Sequence, residues 1–466
     1  MTSPGHSKLS GWNRATTALF APKDIAALAV FRMLFGAMMA YSLIRFAANG
    51  WIELVLVEPT FFFKYDIAPW TIVWDPPALY LHFAITTIAA ICIAIGLFYR
   101  IAIVVFLLGF VYLQLLDVTL YLNHYYLVVL MAGIMAFLPL GRAWSVDAWR
   151  QPTRTRSTLP AWVTYLFRFQ IAVVYFYAAL AKAQPDWLLY AQPINIWMRA
   201  RTETPFIGPL LGQLWVSYAM AWAGFLYDLT IWLFLLWRPT RAYAYVVVVI
   251  FHGMTAVFFE IGMFPIIMTF ATTLFFDPSW PRRWLNLAPI EAKPFTDTPS
   301  TWAWQQRLIA TIIAAYIVFQ LVFPLRHYLY PGDVLWDEQG MRYAWKVMVR
   351  EKNGSITYRI TQISTGRVFQ VSALDYLTWR QFSDMSGQPD LIVQLGKHIA
   401  WDFQKRGFGA VEVRVDAWVS LNGRRPARLI DPDVDITRID VGWTPSRWIR
   451  PSPSEPPIQL MKISTR

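Results

Sequence analysis

The chain repeatedly runs through apolar and aromatic stretches about as long as a membrane is thick, and no other feature constrains its fold so tightly. The stretch ending at Lys182 is the most informative. From Phe169 to Ala181 it carries no charge; Lys182 follows, with Pro185, Asp186 and Trp187 close behind. A helix needs ~20 consecutive apolar residues to cross the hydrocarbon core. An ionisable side chain in that medium is costly and marks a candidate functional site. The competing reading is a lysine that snorkels to the headgroups beside a tryptophan anchor.

Composition agrees with a membrane protein. Of 466 residues 56% are hydrophobic and only 15% charged, where soluble domains carry about 25% charged residues. The formal charge of +12 would suit nucleic acid. Most of the surplus arginine, however, sits in short loops between apolar runs, where it orients the chain and meets anionic membrane lipid, so no nucleic-acid partner is implied. Cys92 stands alone, which excludes an intrachain disulfide and all CxxC chemistry. The first 25 residues are mixed and polar and do not read as a cleavable signal.

Nine spans are expected, at about 27–47, 78–98, 101–118, 124–140, 161–182, 216–236, 242–259, 261–277 and 306–325. Three of them, 101–118, 124–140 and 261–277, are short for a ~20-residue crossing. Loops after even-numbered spans carry Arg100, then Arg142, Arg150, Arg154 and Arg156, then Arg238 and Arg241, then Arg282, Arg283 and Lys293. Loops after odd-numbered spans carry only Lys64, Arg199 and Arg201. The positive-inside bias puts the N-terminus in the cytoplasm and everything after about residue 326 outside. The aromatic, nearly neutral loop 51–80 reads as a cap on the outer side.

After Arg326 the pattern changes. YRITQIS, VFQVSAL and AVEVRVDAWVSLNG alternate apolar and polar positions, as half-buried strands do. DLIVQLGKHIAWDF spaces its apolar residues as one face of a helix. The fold class is therefore a polytopic α-helical membrane protein of about nine spans with a C-terminal, extracytoplasmic, mostly β domain. The expected division is a cytoplasmic segment 1–25, a transmembrane catalytic domain 26–325, a β-rich domain 326–450 and a proline-bearing flexible tail 451–466.

This topology places the histidines. His124 opens the fourth span from outside, with Asn123 beside it. Lys182 closes the fifth, His252 lies about half-way along the seventh, and His327 follows the ninth. The set suits proton transfer on an apolar ligand: a lysine in an apolar pocket has its charged form disfavoured and can act as a base. Histidine can polarise an oxygen, and the Asn123 amide can donate to an oxyanion. A lysine isolated in such a pocket predicts that Lys182→Ala leaves thermal stability intact or slightly raised. The histidines lack metal-site spacing, and no phosphate loop, dinucleotide fingerprint or GxSxG elbow occurs.

Four ordered segments, LYLNHYYLVVLMAGIMAFLPL, YFYAALAKAQPDWLLYAQPINIWM, FHGMTAVFFEIGMFP and PLRHYLYPGDVLWDEQGMRYAWKVMVR, resemble the vitamin K-dependent gamma-carboxylase family, whose membrane part is the HTTM domain. QPDLIVQLGKHIAWDF and VEVRVDAWVSLNGRRPARLIDP are similar to its bacterial members. The resemblance implies an enzyme that oxygenates a reduced vitamin K or menaquinone with O2, yielding a quinone epoxide and a strong base. That base deprotonates a peptidyl glutamate, to which CO2 adds. It implies no metal, Lys182 as the base, and His124 and Asn123 as the groups stabilising the bound hydroquinone. His252 and His327 are implied as further conserved, cofactor-binding histidines. The implied partners are the quinol, a glutamate-containing peptide or protein, and the lipids of a bacterial inner membrane. The family's animal enzyme ties its membrane and soluble parts with a disulfide, which Cys92 alone cannot make.

Three readings follow: a quinol-dependent carboxylase and epoxidase; a quinol-binding oxidoreductase or monooxygenase without glutamate carboxylation; and a non-catalytic scaffold. The closeness of the β domain to His327 predicts that it roofs the pocket, with PGDVLWDEQG and the 51–80 loop as walls of a peptide groove. It also predicts that the membrane spans survive deletion of residues 340–466.

Overall fold

The computed structural model describes residues 18–259, 261–290, 304–442 and 444–458. Among the described residues six helices are long and apolar enough to cross a membrane. They are α1 (Ala26–Ala48), α2 (Pro76–Ile95), α5 (Ala161–Lys182), α6 (Leu214–Leu236), α7 (Arg241–Phe258) and α9 (Trp304–Val322), the last prolonged by a 3-10 segment to Leu329. The expected count of nine is thus too high. The other three stretches form shorter apolar helices, α3 (Tyr99–Leu115), α4 (Asn123–Phe137) and α8 (Phe264–Thr272). Chain stops explain the shortfall. Leu122 is extended just before α4, and Leu138 leaves the helix ahead of Pro139, leaving 15 residues or about 22 Å. Such a helix lies among its neighbours: Leu127, Val128, Met131 and Met135 are fully buried.

Backbone proximity sets the packing. A Cβ on Gly36 of α1 would lie 2.3 Å from the Ala94 nitrogen, so α1 and α2 cross main chain on main chain. Arg32, fully buried on α1, donates to the carbonyls of Ile93, Ala94 and Trp144 at 2.6–2.9 Å. Its guanidinium thereby satisfies the end of α2, where helix carbonyls lack partners. Arg168 of α5 does the same for Leu274 and Phe276. Two short strands, β1 (Pro22–Asp24) and β2 (Thr158–Pro160), pair antiparallel and fasten the starts of α1 and α5 together.

The C-terminal part is an antiparallel sheet ordered β4-β3-β5-β6, made of β3 (Lys352–Gln362), β4 (Val368–Ser372), β5 (Val411–Leu421) and β6 (Ala427–Arg428). The central pair runs in register from Lys352 opposite Leu421 to Gln362 opposite Val411. Val411, Val413, Val415, Ala417, Val419 and Leu421 alternate inward, as the period-two pattern predicts. Helix α11 (Pro389–Phe403), which follows the short α10 (Trp379–Met385), covers that face. Gly396 admits Ile436 and Tyr358, and the Tyr358 hydroxyl donates to the Ile392 carbonyl at 2.8 Å.

Polar contacts, rather than a disulfide, join the two parts. Arg424 holds Asp186 through both carboxylate oxygens at 2.6 Å, and the Asn422 amide donates to the same carboxylate at 2.8 Å. Gln381 donates to Asp117 and to the Phe61 carbonyl, while Gln394 and Lys64 exchange two bonds. The stretch up to Ile458 is held as well, its Ile458 nitrogen donating to the Gly423 carbonyl at 3.2 Å. The rest of the tail, 459–466, and residues 1–17 of the N-terminal segment lie outside the described residues.

Segment 343–349 goes further and enters the helical part. Trp345 is wholly buried there, its ring 4.9 Å from that of Tyr126 on α4. The Tyr343 nitrogen donates to the Tyr121 hydroxyl at 2.8 Å. Three non-glycine residues, Tyr343, Trp345 and Met348, have positive φ angles of 52–63°, each costing about 1–2 kcal/mol. Burial of the indole offsets that cost. The expectation that the spans are self-sufficient without residues 340–466 is therefore revised, because Trp345 is part of their core. Trp345→Ala is expected to cost about 3–5 kcal/mol, seen as a lower unfolding temperature in detergent and faster proteolysis between the two parts. An unchanged melting curve would contradict this packing.

Candidate functional site

Helix α5 ends at Lys182 because Pro185 opens a new short helix, Pro185–Leu188. Three residues of α5, Tyr175, Ala178 and Lys182, fall at i, i+3 and i+7 and line one cavity. Lys182 does not snorkel. Its side chain is 8% exposed, and Nζ lies 2.7 Å from Oδ2 of Asp228 on α6, itself 9% exposed. The ammonium also sits 5.2 Å from the centre of the Trp187 ring, and the Trp187 indole is anchored by donating to the Ala221 carbonyl at 2.7 Å. Gly224, one turn before Asp228, lies under that indole.

His252 of α7 lines the same cavity. Its Nε2 is 3.2 Å from the Tyr175 hydroxyl, which lies 3.3 Å from the Tyr227 hydroxyl. Tyr227 is stacked on Phe251 at 3.7 Å. The remaining walls are almost entirely apolar, with Met220, Phe258 and Phe259 among them.

Asn123 and His124, at the start of α4, line a second cavity. Both cavities share Phe259, Ile261, Phe264, Val347 and Met348 as walls. The Phe264 ring stands between the two histidines, 6.1 Å from His124 and 6.0 Å from His252. Asn123 accepts from the Tyr121 hydroxyl at 3.0 Å and donates to the Lys346 carbonyl at 3.4 Å. The roof over both cavities is thus Val347 and Met348, from the left-handed segment.

A third, polar chamber shares Leu122, Asn123 and Met348 with the second cavity. It is lined by Arg342, Lys346, Arg350 and Lys352, with Glu338 accepting from both Arg350 and Lys352. Burial lowers the Lys346 ammonium to about 8, with Asp333 opposing the shift. Asp337–Arg342 and Tyr65–Ile67 wall a fourth cavity, which shares Glu338, Met341 and Arg342 with the third.

The structure therefore gathers Lys182 and His252 in one cavity and Asn123 and His124 in its neighbour. His327 it does not bring in. Its Nδ1 lies 2.9 Å from the Pro324 carbonyl, and its backbone is pressed against Gly340, where a Cβ would come within 2.9 Å of the His327 Cα. That histidine lines neither cavity. Asp228 and Tyr175 were missed by sequence reasoning. A signal existed for Asp228, the one carboxylate within the apolar run 216–236, as telling there as Lys182 is at the end of its own run. Among the described residues, no three His, Cys, Asp or Glu side chains gather as a metal site.

Two family matches decide the identity. Residues 20–280, more than half of the chain, match the HTTM domain, and residues 305–455 match the lumenal domain of vitamin K-dependent gamma-carboxylase. The chain belongs to the vitamin K-dependent gamma-carboxylase family. No solved structure matches it. Membership in the gamma-carboxylase family implies a role of the carboxylase and epoxidase type. It also makes the C-terminal β part the lumenal, extracytoplasmic domain of a multi-pass membrane protein.

In this gamma-carboxylase relative the base candidate is paired, which revises the expected effect of removing it. Truncating one partner of a buried ion pair strands the other, at about 3–5 kcal/mol. Lys182→Met should lower the unfolding temperature in detergent, and Lys182→Met with Asp228→Asn should restore most of it. Equal stability of wild type and the single variant would mean that the pair is not formed.

Proposed function

We propose that this chain is a quinol-dependent enzyme that couples epoxidation of a reduced naphthoquinone to gamma-carboxylation of a peptidyl glutamate. The observation that carries the reading is the dry Lys182–Asp228 pair, facing an apolar cavity that shares a wall with Asn123 and His124. Apolar walls carrying a few polar groups, Lys182, Asp228, Tyr175 and His252, suit a lipid-soluble ring bearing two hydroxyls. When bound, reduced vitamin K or menaquinone would supply, with O2, the oxidative energy that makes a strong base.

The side chains divide the remaining work. Transfer of a proton from Nζ to Oδ2, 2.7 Å apart, makes the Lys182 amine available as a base, with Asp228 holding the proton. The amine then accepts a hydroxyl proton of the quinol. His252, held by Tyr175, orients the ring's oxygen. The Asn123 amide and His124 stabilise negative charge developing at the other side of the Phe264 wall. A peptide glutamate approaches between the Asp337–Arg342 segment and the Tyr65–Ile67 loop. It reaches the basic chamber beside Lys346, where the strong base formed with the quinol would take a gamma proton and the resulting carbanion adds CO2.

The arginine-rich helix ends lie away from the lumenal domain, which supports an N-terminus in the cytoplasm and a bacterial inner-membrane location.

The purified protein in lipid nanodiscs, given vitamin K hydroquinone or menaquinol and O2, is expected to form epoxide, and with labelled bicarbonate and glutamate peptides to fix label. Epoxide without fixed label would leave the oxidoreductase reading; no epoxide from folded protein would sink the proposal. Lys182→Arg should lose at least 100-fold in epoxidation, because a guanidinium stays protonated. Activity within a few-fold of wild type would reject the base assignment. The lowered Lys346 adds a pH signature. Its charge is complete well below pH 8 and fades above it, so peptide KM should rise through about pH 8 while peptide-free epoxidation does not follow. Lys346→Met should flatten that rise.

A further inference from the structure

At the end of the helical part opposite the lumenal domain lies a cavity lined by Arg100, Arg142, Arg154, Arg156, Thr153 and Thr155. Its location follows from α3 and α4. The far end of α3 meets the domain, where Thr119, just beyond it, accepts from Arg380, while Arg100 stands at the other end. Likewise Asn123 opens α4 beside Lys346, and Arg142 follows its other end.

The basin is built, not a loose run of positive residues. Arg100 is fixed by donating to the Ala136 carbonyl at 3.0 Å. The Arg156 nitrogen donates to the Arg142 carbonyl at 3.0 Å, clipping the loop 151–157 to the end of α4. A 3-10 turn, Pro152–Arg154, and the Thr155 hydroxyl donating to the Pro152 carbonyl at 2.8 Å give that loop its shape. Among the described residues none of the four guanidinium groups has a carboxylate at ion-pair distance. Four cations gathered without counter-charge repel one another unless an anion joins them.

Beside the basin the surface turns apolar. Ile101, Val104 and Leu108 form an exposed row along α3, Phe137 ends α4 at 86% exposure, and Trp149 is 80% exposed. Tryptophan at that level is the mark of a membrane interface. Guanidinium groups of the kind that hold phosphate thus stand near an exposed apolar row and an exposed indole.

We propose that this basin is a binding site for an anionic phospholipid, its headgroup phosphate held by Arg142, Arg154 and Arg156 and an acyl chain laid along Ile101, Val104 and Leu108. The lipid would brace the loop 151–157 and α4, and through α4 the position of Asn123 and His124.

The test is native mass spectrometry of the full chain released from nanodiscs of mixed phosphatidylglycerol and phosphatidylcholine with identical acyl chains. Wild type should retain phosphatidylglycerol at least tenfold over phosphatidylcholine, and Arg142→Gln with Arg156→Gln should abolish the preference. Arg154→Gln alone, on the exposed loop, should lower it several-fold and guards against misfolding of the double variant. Added glycerol phosphate or inorganic phosphate at millimolar concentration should not displace the lipid. Displacement by either would make the site a free-phosphate site and overturn the lipid assignment. Equal retention of the two lipids, or a preference unchanged in the variants, would overturn the site altogether.

Discussion

A lysine and a carboxylate that meet away from water impose the strictest condition on this molecule. Removing two charges from solvent costs several kcal/mol per ion, and only short, well-directed contact recovers it. The Lys182–Asp228 pair meets that condition at 2.7 Å, with Trp187 over the ammonium. Everything around it keeps water out. Trp187 is pinned to α6, Phe258 and Phe259 close the side, and Val347 and Met348 come down from the lumenal domain as a lid. A pair so placed brings a potential base and a potential acid together at one wall of an apolar cavity.

The buried arginines answer a different demand of the same solvent. In hydrocarbon an unpaired carbonyl has no water to turn to. Arg32 and Arg168 sit where helices stop short, and each spends its donors on two or three carbonyls at such an end. They contribute to the scaffold rather than to chemistry, and they let α2 and the segment after α8 terminate inside the protein. The short helices α3, α4 and α8 become possible for the same reason, since their ends meet protein rather than lipid.

Much of this was readable from the residues. Apolar runs located the six long and three shorter apolar helices of the membrane part, and the alternation in β5 gave its inward face residue by residue. Lys182 and His252 were singled out from their depth alone, and they do share a cavity. Helix length was less legible, because composition marks an apolar stretch but not the extended residue, such as Leu122, that delays its start. His327 looked equivalent to the other histidines in sequence, yet its ring is turned toward the Pro324 carbonyl, a choice made by the close approach of Gly340. Asp228 was overlooked although its setting was as unusual as that of Lys182. The roof was expected from the part after His327, and residues of PGDVLWDEQG and the 51–80 loop do wall a cavity there. The descent of Val347 and Met348 over the membrane cavities was not legible. Left-handed backbone at Tyr343, Trp345 and Met348 carries no glycine or asparagine to announce it, and only tertiary packing reveals it.

The lid formed by Val347 and Met348 also sets an order of events during biosynthesis. Helices carrying Lys182, Asp228 and His252 are made and inserted well before the ribosome reaches the residues that cover them. Until segment 343–349 has crossed the membrane and Trp345 has found its slot beside Tyr126, the ion pair stands open to whatever surrounds it. A chain released early would therefore carry its most reactive groups without their enclosure. Completion of the last domain is what covers the cavity of an already inserted bundle, so the order of synthesis sets when that cavity gains its roof.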